Sequence, residues 1–247
     1  MTQSTSVTRS DHQPGTAAAS HTTAQDRHEG LSTAVSLTEH NRQLLTCGVV
    51  AGALFIGVTT IQILTRPGFD LRRLAISVLA LGDFGWVQVS NFILTGLLTI
   101  AFAVGVRQAL RGGRADTFGP ILIAANGLAL IIGGVFTTDA GLGFPPGAPD
   151  TIPDPLSWHA QIHSFSFFVA VIAIVLASLV LARRFTGFRQ WRWVAYCVIT
   201  AAAMPALVAY GITNLNIVGV AFFAMAVVMT GWNAAIALHL RSNTLFV

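Results

Sequence analysis

The chain has 247 residues, of which 53% are hydrophobic and only 10% are charged. Soluble domains carry about 25% charged residues, and the mean hydropathy here is +0.68. These values exclude an ordinary soluble enzyme, a disordered protein and a disulfide scaffold, and they point to an integral membrane protein.

The 14 basic residues are all Arg, and the formal net charge is +4. They stand singly or in pairs beside apolar runs, which is the pattern of juxtamembrane anchors. The expected partners are therefore membrane lipids, not nucleic acid. Cys47 and Cys197 both fall inside apolar runs and read as buried free thiols.

Residues 1–43 are rich in Ser, Thr, Gln, His and Asp, and the first aromatic residue is Phe55. Such a segment buries too little apolar surface to offset its ordering entropy, which predicts a disordered cytoplasmic tail. It has no apolar core of a signal peptide near its start.

Six apolar runs follow, at about 44–65, 84–106, 119–137, 160–182, 193–212 and 217–239. Each approaches the ~20 residues that cross ~30 Å of hydrocarbon at 1.5 Å per residue. Within lipid the backbone must satisfy its own hydrogen bonds, so each run is predicted to be an α-helix. The fold class is all-α: a polytopic bundle of six transmembrane helices over residues 44–240, ahead of a short C-terminus at 241–247. Pro205 should kink or loosen the fifth helix. Trp86, Trp158, Trp191 and Trp193 sit at run boundaries, where amphipathic rings prefer the interface.

Arginine placement predicts orientation. Arg42, Arg107, Arg111, Arg114, Arg183, Arg184, Arg189, Arg192 and Arg241 fall on one side. Only Arg66, Arg72 and Arg73 fall on the other, all in the first loop. The positive-inside rule then gives a multi-pass cell-membrane protein with both termini cytoplasmic. The third loop, 138–158, carries Asp139, Asp150 and Asp154 and five of the nine prolines, so it should be irregular and stiff.

The first loop reads RPGFDLRRLAISVLALGDFGW, and its stretch 74–82 is apolar but too short to span. It forms either an interfacial helix or a shallow re-entrant piece. Alternatively, the second helix starts earlier and draws Asp83 into the membrane. On a helix, Arg73 and Ser77 would share a face. Gln88, Asn91, Thr95 and Thr99 form one stripe of the second helix and should face the interior, either bonding to other helices or lining a ligand site. Asn126 and Asn233 invite the same reading, and Gly127, Gly133 and Gly134 would let helices approach closely.

The fourth helix opens with His159 and His163 on one face, continued by Ser166. Asp139 closes the third helix on the same side, and an ionisable group at such depth needs a partner. Asp139 with one of the two histidines is the expected pair. This assembles a candidate cluster of Arg72, Arg73, Ser77, Asp83, Asn91, Asp139, His159 and His163. Arg72, Arg73, Asp83 and Asn91 are the candidate ligand-binding groups. Ser77, Asp139, His159 and His163 are the candidate catalytic ones. His159, His163 and Asp139 form a candidate divalent-metal set, although the spacing lacks the adjacent Glu of zinc proteases. No haem is expected, since His239 lies at the other face.

At these residues the chain resembles domain-of-unknown-function family 998, a group of six-helix prokaryotic membrane proteins. The matching pieces are Ile76-Ser77-x-Leu79-x-x-Gly82, then Asn91-Phe92 with Gly96, then Gly134-Val135-Phe136-x-x-Asp139, then the His159/His163 pair. The resemblance covers about residues 44–240. It implies the six-helix fold and no particular activity. Three functions fit the residues: a structural or lipid- or small-ligand-binding membrane module, a membrane-embedded metal-dependent hydrolase using Asp139, His159 and His163, and a small proton-coupled transporter.

Overall fold

The computed structural model describes residues 16–110 and 115–243, with side chains between residues 39 and 242. Arg111 and Arg114, which entered the orientation argument, lie outside the described residues. The described residues form six α-helices: α1 (Thr16–Thr65), α2 (Gly85–Ala109), α3 (Ala115–Val135), α4 (Trp158–Gly187), α5 (Trp191–Thr213) and α6 (Val218–Asn243). Each contains a stretch long and apolar enough to cross a membrane. The protein is a multi-pass integral membrane protein. There is no β-strand among the described residues, only one isolated bridge in the third loop.

One boundary differs from the sequence reading, and one of its open alternatives is decided. Helical backbone begins at Thr16, so the described part of the predicted disordered tail is helical. Ala17, Ala18 and Ala19, with unbranched Gln25, Arg27 and Glu29, favour helix locally, a term that an argument from burial alone omits. The chain divides between residues 40 and 41, and residues 41–247 form the unit that carries the site. The second helix starts at Gly85, which leaves Asp83 outside it in an exposed turn.

Packing is antiparallel between successive helices. Gly96 of α2 faces Gly127 of α3, and Gly134 of α3 faces Phe92 of α2, so the two chains run oppositely. Asn126 of α3 reaches the Ala170 carbonyl of α4 at 3.2 Å and Met229 Sδ of α6 at 3.4 Å. The burial pattern suits lipid. Leu64, Phe165, Ile199 and Ile61 stand exposed on the outside, while Thr59, Gln62, Gln88, Asn91, Thr95, Thr99, Asn126 and Asn233 are buried. In water so much exposed apolar surface would drive association; in hydrocarbon it is the solvated face. Cys197 is buried as predicted, but Cys47 is only half-buried. Helix α5 continues through Pro205.

Loops one and three pack together over the bundle end formed by the C-termini of α1, α3 and α5. The apolar stretch of loop one is a short 3-10 helix, Ile76–Ala80. Arg73 precedes it, so Arg73 and Ser77 do not share an α-helical face. Leu74, Leu79 and Phe144 are fully or almost fully buried in a small core of their own, with Phe69 edge-on to Phe144 at 5.6 Å. Arg66 holds the layer from beneath. It donates to the carbonyls of Leu79 (3.3 Å) and Leu81 (2.5 Å) and lies 5.5 Å from the Phe144 ring centroid. Gly82 turns the chain with φ +72°, and Pro145 packs against it so closely that a side chain there would be crowded as well as strained.

Candidate functional site

Beneath this loop layer lies a cavity of about 300 Å³, bounded by all six helices and by Ala75, Ile76 and Ser77 as its roof. That volume is at the lower end of the ~300–1,000 Å³ of small-molecule sites. Phe55, Phe92, Leu130, Phe222, Met225 and Met229 make most of the wall apolar. The polar lining is a short set: Ser77, Thr138, His163, Ser164 and Ser166. Phe168 of α4 and Ile212 of α5 also line it, yet both are about half exposed on the outer surface. The cavity therefore reaches the lipid-facing side between α4 and α5.

His163 is fixed by the end of α3. A helix leaves its last carbonyls without intrahelical donors. His163 Nδ1 lies 2.9 Å from the Gly133 carbonyl oxygen and 3.0 Å from that of Phe136. Both are acceptors, so Nδ1 carries the proton and donates to them. His163 is also one of the residues that line the cavity. Gly133 makes room for this arrangement, since a Cβ there would lie 3.2 Å from Ser166 Oγ and 3.8 Å from His163 Nδ1.

The rest of the predicted cluster is divided among other tasks. Asp139 takes its hydrogen bonds from Ser157 and not from a histidine, although the charge of His159 acts on it. Its carboxylate accepts from the Ser157 backbone N–H at 2.7 Å and from the Ser157 hydroxyl at 2.5 Å, while Ser157 Oγ caps α4 by accepting from Ala160 N–H at 3.2 Å. His159 is exposed and stacks on Trp158, with ring centroids 3.6 Å apart. The predicted metal set is thus not assembled. Among the described residues no group of three His, Cys, Asp or Glu is placed to hold an ion. The physical reason is that Asp139 and His163 are each committed to backbone groups or a hydroxyl before they reach one another.

The predicted ligand-binding groups are also elsewhere. Arg73 bridges the two loops through Asp150 at 2.8 Å, with both side chains exposed. Arg72 is exposed and its carbonyl accepts from the Gly219 N–H of α6 at 3.4 Å. Asp83 is exposed, and its charge acts on Arg66. Asn91 belongs to a buried seam between α1 and α2. Its Nδ2 donates to the Phe55 carbonyl and Thr59 Oγ1, both at 3.2 Å. Gln62 Nε2 donates to Gln88 Oε1 at 2.6 Å, and Gln88 Nε2 to Thr59 Oγ1 at 3.3 Å. Gln88 and Asn91 of the α2 stripe thus serve helix–helix bonding, one of its two readings, while Thr99 Oγ1 donates to the Thr95 carbonyl within α2 at 2.8 Å. Of the eight clustered residues, Ser77 and His163 line the cavity. Sequence reasoning missed Arg66, Thr138 and the α6 wall. Met225 and Met229, four apart, were the available signal for the last.

Asp139 carries a pH signature. The Ser157 hydroxyl first, then the Ser157 N–H, hold its carboxyl below the ordinary carboxylate value. A depressed folded pKa stabilises the protein above the unfolded value, and the gain is lost as pH falls through the folded one. The group is only partly buried, so solvent screening keeps the effect small. In detergent the melting temperature of the wild type should fall more steeply than that of Asp139→Asn below about pH 4. Parallel curves would remove this role.

Residues 49–239 match the family described as protein of unknown function (DUF998). The chain belongs to that family. No curated protein matches it, and no solved structure does. In this DUF998 chain the matched span contains the whole cavity, from Phe55 to Met229. The short motifs that carried the resemblance converge on it. Ser77 roofs the cavity, Phe92 walls it, Gly134 packs on Phe92, and His163 supplies its main polar group.

Proposed function

We propose that this DUF998 protein is a non-enzymatic membrane module that holds the apolar chain of a lipid-like amphiphile. The observation that carries this reading is the cavity: apolar over most of its wall, polar in one small set, and open toward the lipid-facing side between α4 and α5. A hydrocarbon chain entering from the bilayer would lose nothing in solvation, and its contacts would be dispersion against aromatic and Met side chains. His163 Nε2, Ser77 and Thr138 supply donors and acceptors for the polar end. The arginine distribution supports cytoplasmic termini, and on that reading the cavity lies in the outer leaflet.

Ala129 and Ala170 both line the cavity, so Ala129→Phe with Ala170→Phe fills it. Lipid mass spectrometry after gentle extraction should find one chain-bearing class enriched on the wild type over the bulk membrane and lost from the filled variant. Bulk proportions on the wild type, or retention by a folded filled variant, would defeat the reading.

A further inference from the structure

A second pocket, of about 850 Å³, lies at the opposite end of the bundle. We propose that it is a site for a phosphate-bearing anion. Among the described residues its lining is Arg189, Gln190, Trp191, Arg192, Trp193, Tyr196, Ala235 and His239, with no carboxylate.

The floor is held in place. His239 Nε2 donates to Gln190 Oε1 at 3.0 Å, and its ring stacks on Trp193 with centroids 4.1 Å apart. Phe185 closes edge-on against the same imidazole at 5.4 Å, and Tyr196 stands edge-on to Trp193 at 6.0 Å. Two guanidiniums stand at the rim, both exposed.

Arg189 occupies an uncommon backbone position. Helix α4 ends with Arg189 N–H on the Thr186 carbonyl and Gln190 N–H on the Phe185 carbonyl, both at 3.0 Å. That is the double-bonded helix terminus whose left-handed residue is usually Gly. Here it is Arg189, with φ +56°. An L side chain is strained there, and the conformation places a guanidinium beside the pocket. Planar, always-charged guanidiniums suit phosphate oxygens, and the aromatic floor suits the interfacial depth at which lipid phosphates lie. Among the described residues, Arg42, Arg107, Arg183, Arg184 and Arg241 also lie toward this end, which draws anions toward it.

Native mass spectrometry of the full chain in neutral detergent, titrated with phosphatidylglycerol or phosphatidylcholine of equal chain length, tests the site. Phosphatidylglycerol is expected to bind about tenfold more tightly. Arg189→Gln with Arg192→Gln should abolish that preference. Arg107→Gln with Arg183→Gln, an equal loss of charge at the same end but outside the pocket, should keep it. No preference in the wild type, or equal loss in both double variants, would overturn the proposal and leave a general charge effect. Glycerol 3-phosphate as competitor separates the sources. Displacement of the lipid assigns a free phosphorylated solute, retention assigns a membrane lipid, and each is a phosphate bound at these arginines.

Discussion

Gly96→Val is expected to destabilise the bundle by about 3 kcal/mol or more, at or beyond the upper range for overpacking a well-filled core. At this crossing α2 and α3 touch through their backbones. A Cβ on Gly96 would lie 2.5 Å from the Gly127 carbonyl oxygen and 2.6 Å from Ile131 Cγ1. The contact is reciprocal, since a Cβ on Gly127 would lie 2.7 Å from the Gly96 carbonyl oxygen. Backbone cannot rotate aside as a long side chain can, so the helices must separate. Small residues are what allow such an approach in a membrane, where no hydrophobic force drives helices together. The same seam sets the position of the end of α3, and so of the carbonyls that fix His163. Gly57→Ala is the control. A Cβ there meets nothing within 4 Å, and replacing a helical Gly with Ala should be neutral or stabilising by up to about 1 kcal/mol. Melting in detergent, followed by fluorescence or by loss of the monodisperse peak, reads both. A Gly96→Val protein that melts with the wild type would mean that the crossing is looser than described.

His163→Ala and His163→Asn are expected to separate two roles of one side chain. Alanine removes the donor to the Gly133 and Phe136 carbonyls, and leaving buried acceptors unpaired costs about 1–3 kcal/mol. Asparagine can present its amide N–H near where Nδ1 stands, so the end of α3 stays capped, but nothing replaces Nε2. The alanine variant should therefore melt earlier. The asparagine variant should melt close to the wild type while its bound amphiphile is depleted in lipid mass spectrometry. An asparagine variant with the full lipid complement would strip Nε2 of a binding role and leave His163 as a helix cap only.

Much of the architecture was legible because the bilayer leaves few choices. Each crossing needs ~20 apolar residues and must satisfy its own backbone, so six runs become six helices. The interior face of α2 was legible for a similar reason, since a period of 3.6 puts Gln88, Asn91, Thr95 and Thr99 on one side and lipid rejects that side. The close-packing role of Gly127 and Gly134 followed from size alone.

The site was legible in its ingredients but not in its pairing. His163 and Ser77, both named from the sequence, line the same cavity. The expected bond between Asp139 and a histidine did not form, because each found a nearer partner in another element: Ser157 ahead of α4 for one, the carbonyls closing α3 for the other. Backbone groups are the same in every residue, so no sequence pattern marks which carbonyl a side chain will meet. Composition and periodicity determined the number of helices, their extent and their polar interior. Only the tertiary structure decided which polar groups face the cavity, because that depends on where helix ends fall relative to one another in space.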